Sequence, residues 1–224
     1  MWSLAVHDAR GSSPTPLQPN DLASPKRLVA RARSVVESEA SAVADLACQI
    51  DEQLARVVQL LLECRGHVLV TGAGTSRAVA ERFAHLLSCC GTPALFIHAA
   101  DSLHGGGGAI RQEDVLYIIS KGGQSSEINQ FAQIARRRGA RIIVHTEQAD
   151  SPLAQMSDVL LFVRTRGEVD PYGMIATGSS LVNCAACDAL CVLLLELRGY
   201  SKEDFSETHP GGAVGKRIAE SGGQ

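Results

Sequence analysis

The chain has little excess of either charge: 21 Lys and Arg against 24 Asp and Glu leave a net charge of −3 and a pI near 6.2. With no basic excess there is no electrostatic reason to expect a nucleic acid partner. Its one basic cluster, Arg136, Arg137 and Arg138, reads as a solvated helix end. No apolar run approaches the ~20 residues that a membrane span needs. The opening stretch MWSLAVHDAR lacks the basic region and apolar core of an export signal. Metal-ligand spacing on a single element is also missing. Of the seven cysteines only Cys184 and Cys187 form a C-x-x-C pair, and both sit inside LVNCAACDALCVLLLEL, where a thiol acts as a small hydrophobe. Reduced structural thiols, with no membrane partner, point to the cytoplasm.

At 224 residues the chain suits one α/β domain with extensions. Residues 1–24, rich in Pro, Ser and Gly, bury too little apolar surface to offset ordering and are expected to be a disordered or loosely docked arm. The folded unit is then 25–224. It opens with a long amphipathic helix from Pro25 and a second helix over 51–64, where Leu54, Val57, Val58, Leu61 and Leu62 share a face. Apolar strands follow at 67–71, 94–98, 115–119, 141–146 and 158–163, separated by helical stretches, the last over 181–198. Such alternation with short links predicts a parallel, doubly wound sheet.

Chemistry-bearing residues collect where strands end. The stretch VLYIISKGGQSSEI (115–128) is a buried strand that stops at Ser120, Lys121, Gly122 and Gly123, then passes through Gln124, Ser125 and Ser126 into a helix at Glu127. Hydroxyls and free N–H groups at a helix start suit an anion; an ordinary Ser-capped turn is the alternative. After the first strand, Gly72 to Ser76 read G-x-G-x-S, but the third glycine of a dinucleotide fingerprint is absent and no acidic residue ends the next strand. A cofactor-free, Rossmann-like sheet is the better expectation. Four glycines after His104 imply a flexible segment approaching a ligand or another subunit. Asp188, the one charge in the middle of its apolar helix, needs a partner or faces a subunit contact. Pro210 disfavours helix at His209, leaving that imidazole on a turn.

These landmarks in this order, GAGTS, H-G-G-G-G-A-I, S-x-G-G-x-S-S-E-I, E-V-D-P and E-D-F-S-x-x-H-P-G-G-A-V-G-K-R-I, resemble the sugar isomerase (SIS) domain of arabinose-5-phosphate isomerases over about residues 28–218. The resemblance implies a three-layer αβα sandwich with a five-stranded parallel sheet. It also implies a phosphosugar ligand at the strand ends, no cofactor and no metal, and a homotetramer with composite active sites. By position the family's active-site groups fall on His104, Glu127, Glu168 and His209. Phosphosugar contacts fall on Gly74, Thr75, Ser76, Ser120, Lys121, Gln124, Ser125, Ser126, Thr177 and Ser179. Thr75 replaces the family's Lys, Lys121 and Gln124 stand in an altered S-x-S-G-E loop, and Gly106 replaces the Asp of H-G-D. The chain also ends soon after Ile218, so the tandem CBS domains of longer relatives are expected to be absent.

Aldose-ketose isomerisation through a cis-enediol needs a carboxylate at the carbon acid and an acid or base at the ring oxygen. Glu168 is assigned the first role and His209 the second, with Glu127 an alternative base or simply a favourable helix-start carboxylate, and His104 a second acid or hydrogen-bonder. The leading expectation is an arabinose 5-phosphate/ribulose 5-phosphate isomerase. Two alternatives stay open: an isomerase for another sugar phosphate because of Thr75, or a non-catalytic phosphosugar sensor. Lys121 is a candidate substitute for the missing family charge.

Overall fold

The computed structural model describes residues 16–211 and Arg217. Residues 1–15 of the expected arm, and 212–216 and 218–224 of the H-P-G-G tail, lie outside the described residues. Within the arm, Pro19–Ala23 form a 3-10 helix whose buried Asp21 accepts from the Gln18 amide and pairs with Arg27 on the following helix.

Two helices precede the sheet: α1 (Pro25–Leu46) and α2 (Glu52–Glu63). The Asp51 carboxylate starts α2 by accepting from the Gln53 amide at 2.9 Å, and the helical period then buries Leu54, Val57, Val58 and Leu61 together. Next come β1 (Val68–Gly72), α3 (Thr75–Cys89), β2 (Ala94–Phe96), α4 (Ala99–Leu103), β3 (Val115–Ile119), α5 (Ser126–Arg137), β4 (Arg141–Thr146), β5 (Val159–Phe162), α6 (Gly178–Arg198) and α7 (Lys202–Thr208). All five strands are parallel, in the spatial order β2-β1-β3-β4-β5. Strand alternation sends Val115, Tyr117 and Ile119 of β3 into a core shared with α2, α3 and α6, and Leu116 and Ile118 into a second core under α5. Helices therefore cover both faces, as the alternating pattern requires.

Four expectations need correction or completion. Part of the glycine run is ordered by packing: Gly106–Ala109 form a 3-10 turn, and a Cβ on Gly107 would lie 3.0 Å from both Ile134 Cγ2 and the Ser102 carbonyl, while Gly105 and Gly108 have open space around them. Close packing against α5 thus accounts for that glycine. Nor is the arginine triplet simply solvated. Arg138 donates to the carbonyls of Ile110 (2.7 Å) and Gly108 (3.0 Å), and Arg136 to that of Met156 (3.2 Å), so two of the three fasten neighbouring loops. One apolar element does reach membrane-span length: α6 has 21 residues with a hydropathy of 1.8 and passes by length and composition. Here α6 packs on α1, α2 and α3. Its Asp188 forms a two-pronged, half-exposed ion pair with Arg82 of α3, at 2.6 and 3.0 Å. All seven cysteines are free thiols.

Candidate active site

In a doubly wound sheet of this order, the chain reverses its winding between β1 and β3, and the crevice outside the carboxyl ends of those two strands is the place for a ligand. The β1–α3 turn forms one wall. A Cβ on Gly72 would stand 2.7 Å from the Ser76 carbonyl, so α3 can begin this close to the strand only over glycine. Gly74 adopts the left-handed region (φ +57) with open space around it, Thr75 is exposed, and Ser76 is half-buried. No side chain caps the start of α3.

The β3–α5 loop forms the other wall. Ser120 is buried and its Oγ accepts from the Gly123 amide at 3.2 Å. Gly123 sits at φ +60 where a Cβ would come within 2.2 Å of Ser151 Oγ, so both conformation and space demand glycine. Gln124 is exposed, Ser126 Oγ accepts from Gln130 at 2.9 Å, and Ser125 stands at the N-cap of α5 without bonding through its side chain. Glu127 lies half-buried in the first turn, with no hydrogen bond or ion pair among the described residues. The positive end of a helix dipole thus faces the crevice uncapped from each wall.

Glu168 comes to this end of the sheet on the β5–α6 connection. Its side chain is only 2% exposed. Lys121 Nζ donates to Oε1 at 2.6 Å, Ser179 Oγ donates to the same oxygen, and the Ser179 amide donates to Oε2 at 3.2 Å. Burial alone would push this carboxyl up, but Lys121 and the two Ser179 donors outweigh it and hold it below the usual range. The N-terminus of α6 is therefore served by Glu168, not by its N-cap residue Thr177, whose buried Oγ1 has no partner among the described residues. Lys121 Nζ also lies 3.8 Å from Glu147 Oε1. Glu147 went unnoticed in the sequence, although its position just past β4 follows the same strand-end rule. A cavity of about 440 Å³ opens beside Glu168, between α1 and residues 166–171, with Arg31, Asp45 and Arg166 on its walls.

The histidines are not part of this cluster. His104 caps the short α4 on the α5 side of the sheet and is exposed. His209 follows α7, stacks on Phe205 with ring centroids 3.8 Å apart, and sets Nε2 3.4 Å from Cys89 Sγ at the far end of α3. With 15 residues in α3, that end is about 20 Å along the helix from the Gly74 turn. One chain thus assembles Lys121, Ser179 and Glu168, sets both glycine turns at the same carboxyl end of the sheet, and leaves His209 at the opposite end. Among the described residues no group of three or more His, Cys, Asp or Glu is arranged to hold a metal ion.

Comparison with known proteins adds a lineage to this geometry. The model of the SIS domain matches residues 61–193. Arabinose 5-phosphate isomerase KdsD of Pseudomonas aeruginosa is 36% identical over 187 residues, covering 84% of this chain and 57% of the relative. The chain therefore spans a little over half the length of that relative. Among solved structures, a Listeria monocytogenes protein provisionally described as a sugar-phosphate isomerase is 34% identical with a TM-score of 0.81, covering 84% of this chain and 98% of its own. An Escherichia coli CFT073 protein in complex with A5P is 27% identical with a TM-score of 0.78, covering 87% of this chain and all of its own (100%).

Proposed function

The chain belongs to the SIS domain family, and from that premise we propose that it is a cytoplasmic aldose-ketose isomerase that interconverts arabinose 5-phosphate and ribulose 5-phosphate through a metal-independent cis-enediol. The observation that carries this reading is the buried, cation-paired Glu168 at the sheet end that also carries the two uncapped helix starts flanking the β1/β3 switch point. The helix starts, Ser76, Ser125 and Ser126 suit a phosphate. Glu168 suits the carbon acid.

In the forward direction, the Glu168 carboxylate takes the proton from C2 of the open-chain aldose. The C–H electron pair becomes the C1–C2 double bond, and the aldehyde oxygen gains a proton to complete the enediol. The hydroxyl on C2 then loses its proton, its electrons form the ketone, and C1 receives the proton held by Glu168. Glu127, half-buried and unpaired, is the alternative base. His209 acts at the ring oxygen, and because it lies at the far end of its own α3, we place it in the site of a second copy within a homotetramer. His104 contributes a hydrogen bond to the sugar.

Incubation in deuterium oxide with a panel of aldose and ketose phosphates tests the proposal. Arabinose 5-phosphate should gain deuterium at C2, Glu168→Gln should lose exchange by roughly 100-fold or more, and EDTA should change neither rate. Undiminished exchange in Glu168→Gln would move the base to Glu127. Exchange only with another sugar phosphate would assign the substrate change to Thr75, and tight binding without any exchange would make the chain a sensor.

A further inference from the structure

Glu168 is arranged in the ligand-free chain in a way that a general base is not. Both carboxylate oxygens are committed: Oε1 to Lys121 Nζ and Ser179 Oγ, Oε2 to the Ser179 amide. A carboxylate that accepts three hydrogen bonds, one of them from a cation, is a weak proton acceptor, with one acceptor site left on Oε2. Of its partners, both Ser179 donors are fixed on the first turn of α6. Lys121 is different. Its side chain is 39% exposed, its backbone carbonyl is fastened by Thr146 Oγ1 (3.0 Å) and the Glu147 amide (3.3 Å), and its ammonium hangs on four rotatable bonds. The loop that carries it leads directly into the uncapped start of α5.

Resting on the reading that this crevice takes a phosphosugar, we propose that Lys121 is an anion-operated switch on Glu168: a phosphate seated at the β3–α5 loop draws the Lys121 ammonium away, and Glu168 becomes a competent base only when the site is filled. A phosphate carries more charge than one carboxylate, lies in the more exposed position, and presents several acceptor oxygens to the same ammonium. Once Lys121 has left, the cations nearest to Glu168 among the described residues are already engaged. Arg31 of α1 is held by the Val169 carbonyl (2.7 Å), and Arg166 is paired with Asp45 (2.8 Å). The Asp170 carboxylate is tied to the amides of Tyr172, Met174 and Ile175, while Glu147 repels a second negative charge. Burial then governs Glu168 and raises its proton affinity toward that of a useful base.

The test uses the full chain with glutamate 13C-labelled at the side-chain carboxyl, the Glu168 resonance being the one lost in Glu168→Gln. Its pH titration is recorded with and without inorganic phosphate. Phosphate should raise the proton affinity of Glu168 about tenfold or more in the wild type. Lys121→Met should start from the raised value and show no response, whereas Lys121→Arg should retain one. A wild-type titration that phosphate does not move, at any concentration up to saturation of the solution, overturns the switch, as does an equal phosphate response in Lys121→Met. Turnover plays no part in this readout: an intact response without isomerisation sinks the proposed activity and leaves the switch, and isomerisation without the response does the reverse.

Discussion

His145 has no assigned part in the chemistry, yet it sets how the molecule responds to acid. Its ring is buried between β4 and α6, where Tyr117 Oη lies 3.1 Å from Nδ1. Burial pulls its pKa down from 6.5 to about 4, against a smaller opposing pull from the Asn183 side chain. The unfolded chain therefore binds a proton that the folded chain refuses between those values. The stabilisation is whole above about pH 6.5 and shrinks as pH falls toward 4, with about 2 kcal/mol lost by pH 5. Urea midpoints at pH 7.5 and pH 5 should differ accordingly, and His145→Gln should flatten the difference; an unchanged slope removes His145 as the cause. The two turn glycines differ at this same scale. Gly123→Ala meets both a left-handed backbone and Ser151 Oγ at 2.2 Å, Gly74→Ala only the backbone. Replacing Gly74, whose backbone (φ 57, ψ −131) lies outside the αL well, should cost about 1–3 kcal/mol, and replacing Gly123 distinctly more, read from thermal melts of the two variants.

Among the elements, what the sequence made legible depended on length. The buried strands and the long helices carry a full apolar period, so β3 and β4 begin and end where the pattern does, and α2 starts at the Asp51 cap. Short elements carry less than one period. The five residues of α4 and the seven of α7 are visible only through tertiary packing and through the Ser201–Asp204 capping box. Long-range pairing was equally hidden: Asp188 announced that it needed a partner, but nothing local named Arg82, 106 residues away. At the site, the loop residues could be read because they sit at strand ends, whereas the Lys121–Glu168 bond joins two loops 47 residues apart. Arg138 provides a check on tertiary roles within a charged run. Arg138→Ala removes bonds to the Ile110 and Gly108 carbonyls and should cost about 1–3 kcal/mol. Arg137→Ala, which breaks no such bond among the described residues, should stay within roughly 0.5 kcal/mol. Equal costs in chemical denaturation would return Arg138 to the solvated surface.

For the whole molecule, the separation of Glu168 from His209 is the organising fact. Two groups at opposite ends of α3 cannot serve one site within one chain, so the proposed isomerase requires copies arranged to bring a tail to a neighbour's sheet end. Co-refolding equal amounts of Glu168→Gln and His209→Ala, each inactive alone, should restore about a quarter of wild-type sites, since each site draws its two groups independently. Failure to recover any activity, with mixed oligomers verified by mass, would place both groups in one chain.

The bare helix starts at the sheet's carboxyl end also bear on how the protein is handled. Amide N–H groups at α3 and α5 that no side chain caps remain available to whatever anion the solution offers. By mass action, an anion that binds the folded form alone adds about 2.7 kcal/mol at one hundred times its dissociation constant. The melting temperature should therefore depend on buffer identity, rising in phosphate or sulfate over chloride at matched ionic strength. Thermal shift data from different laboratories will be comparable only when their anions are the same.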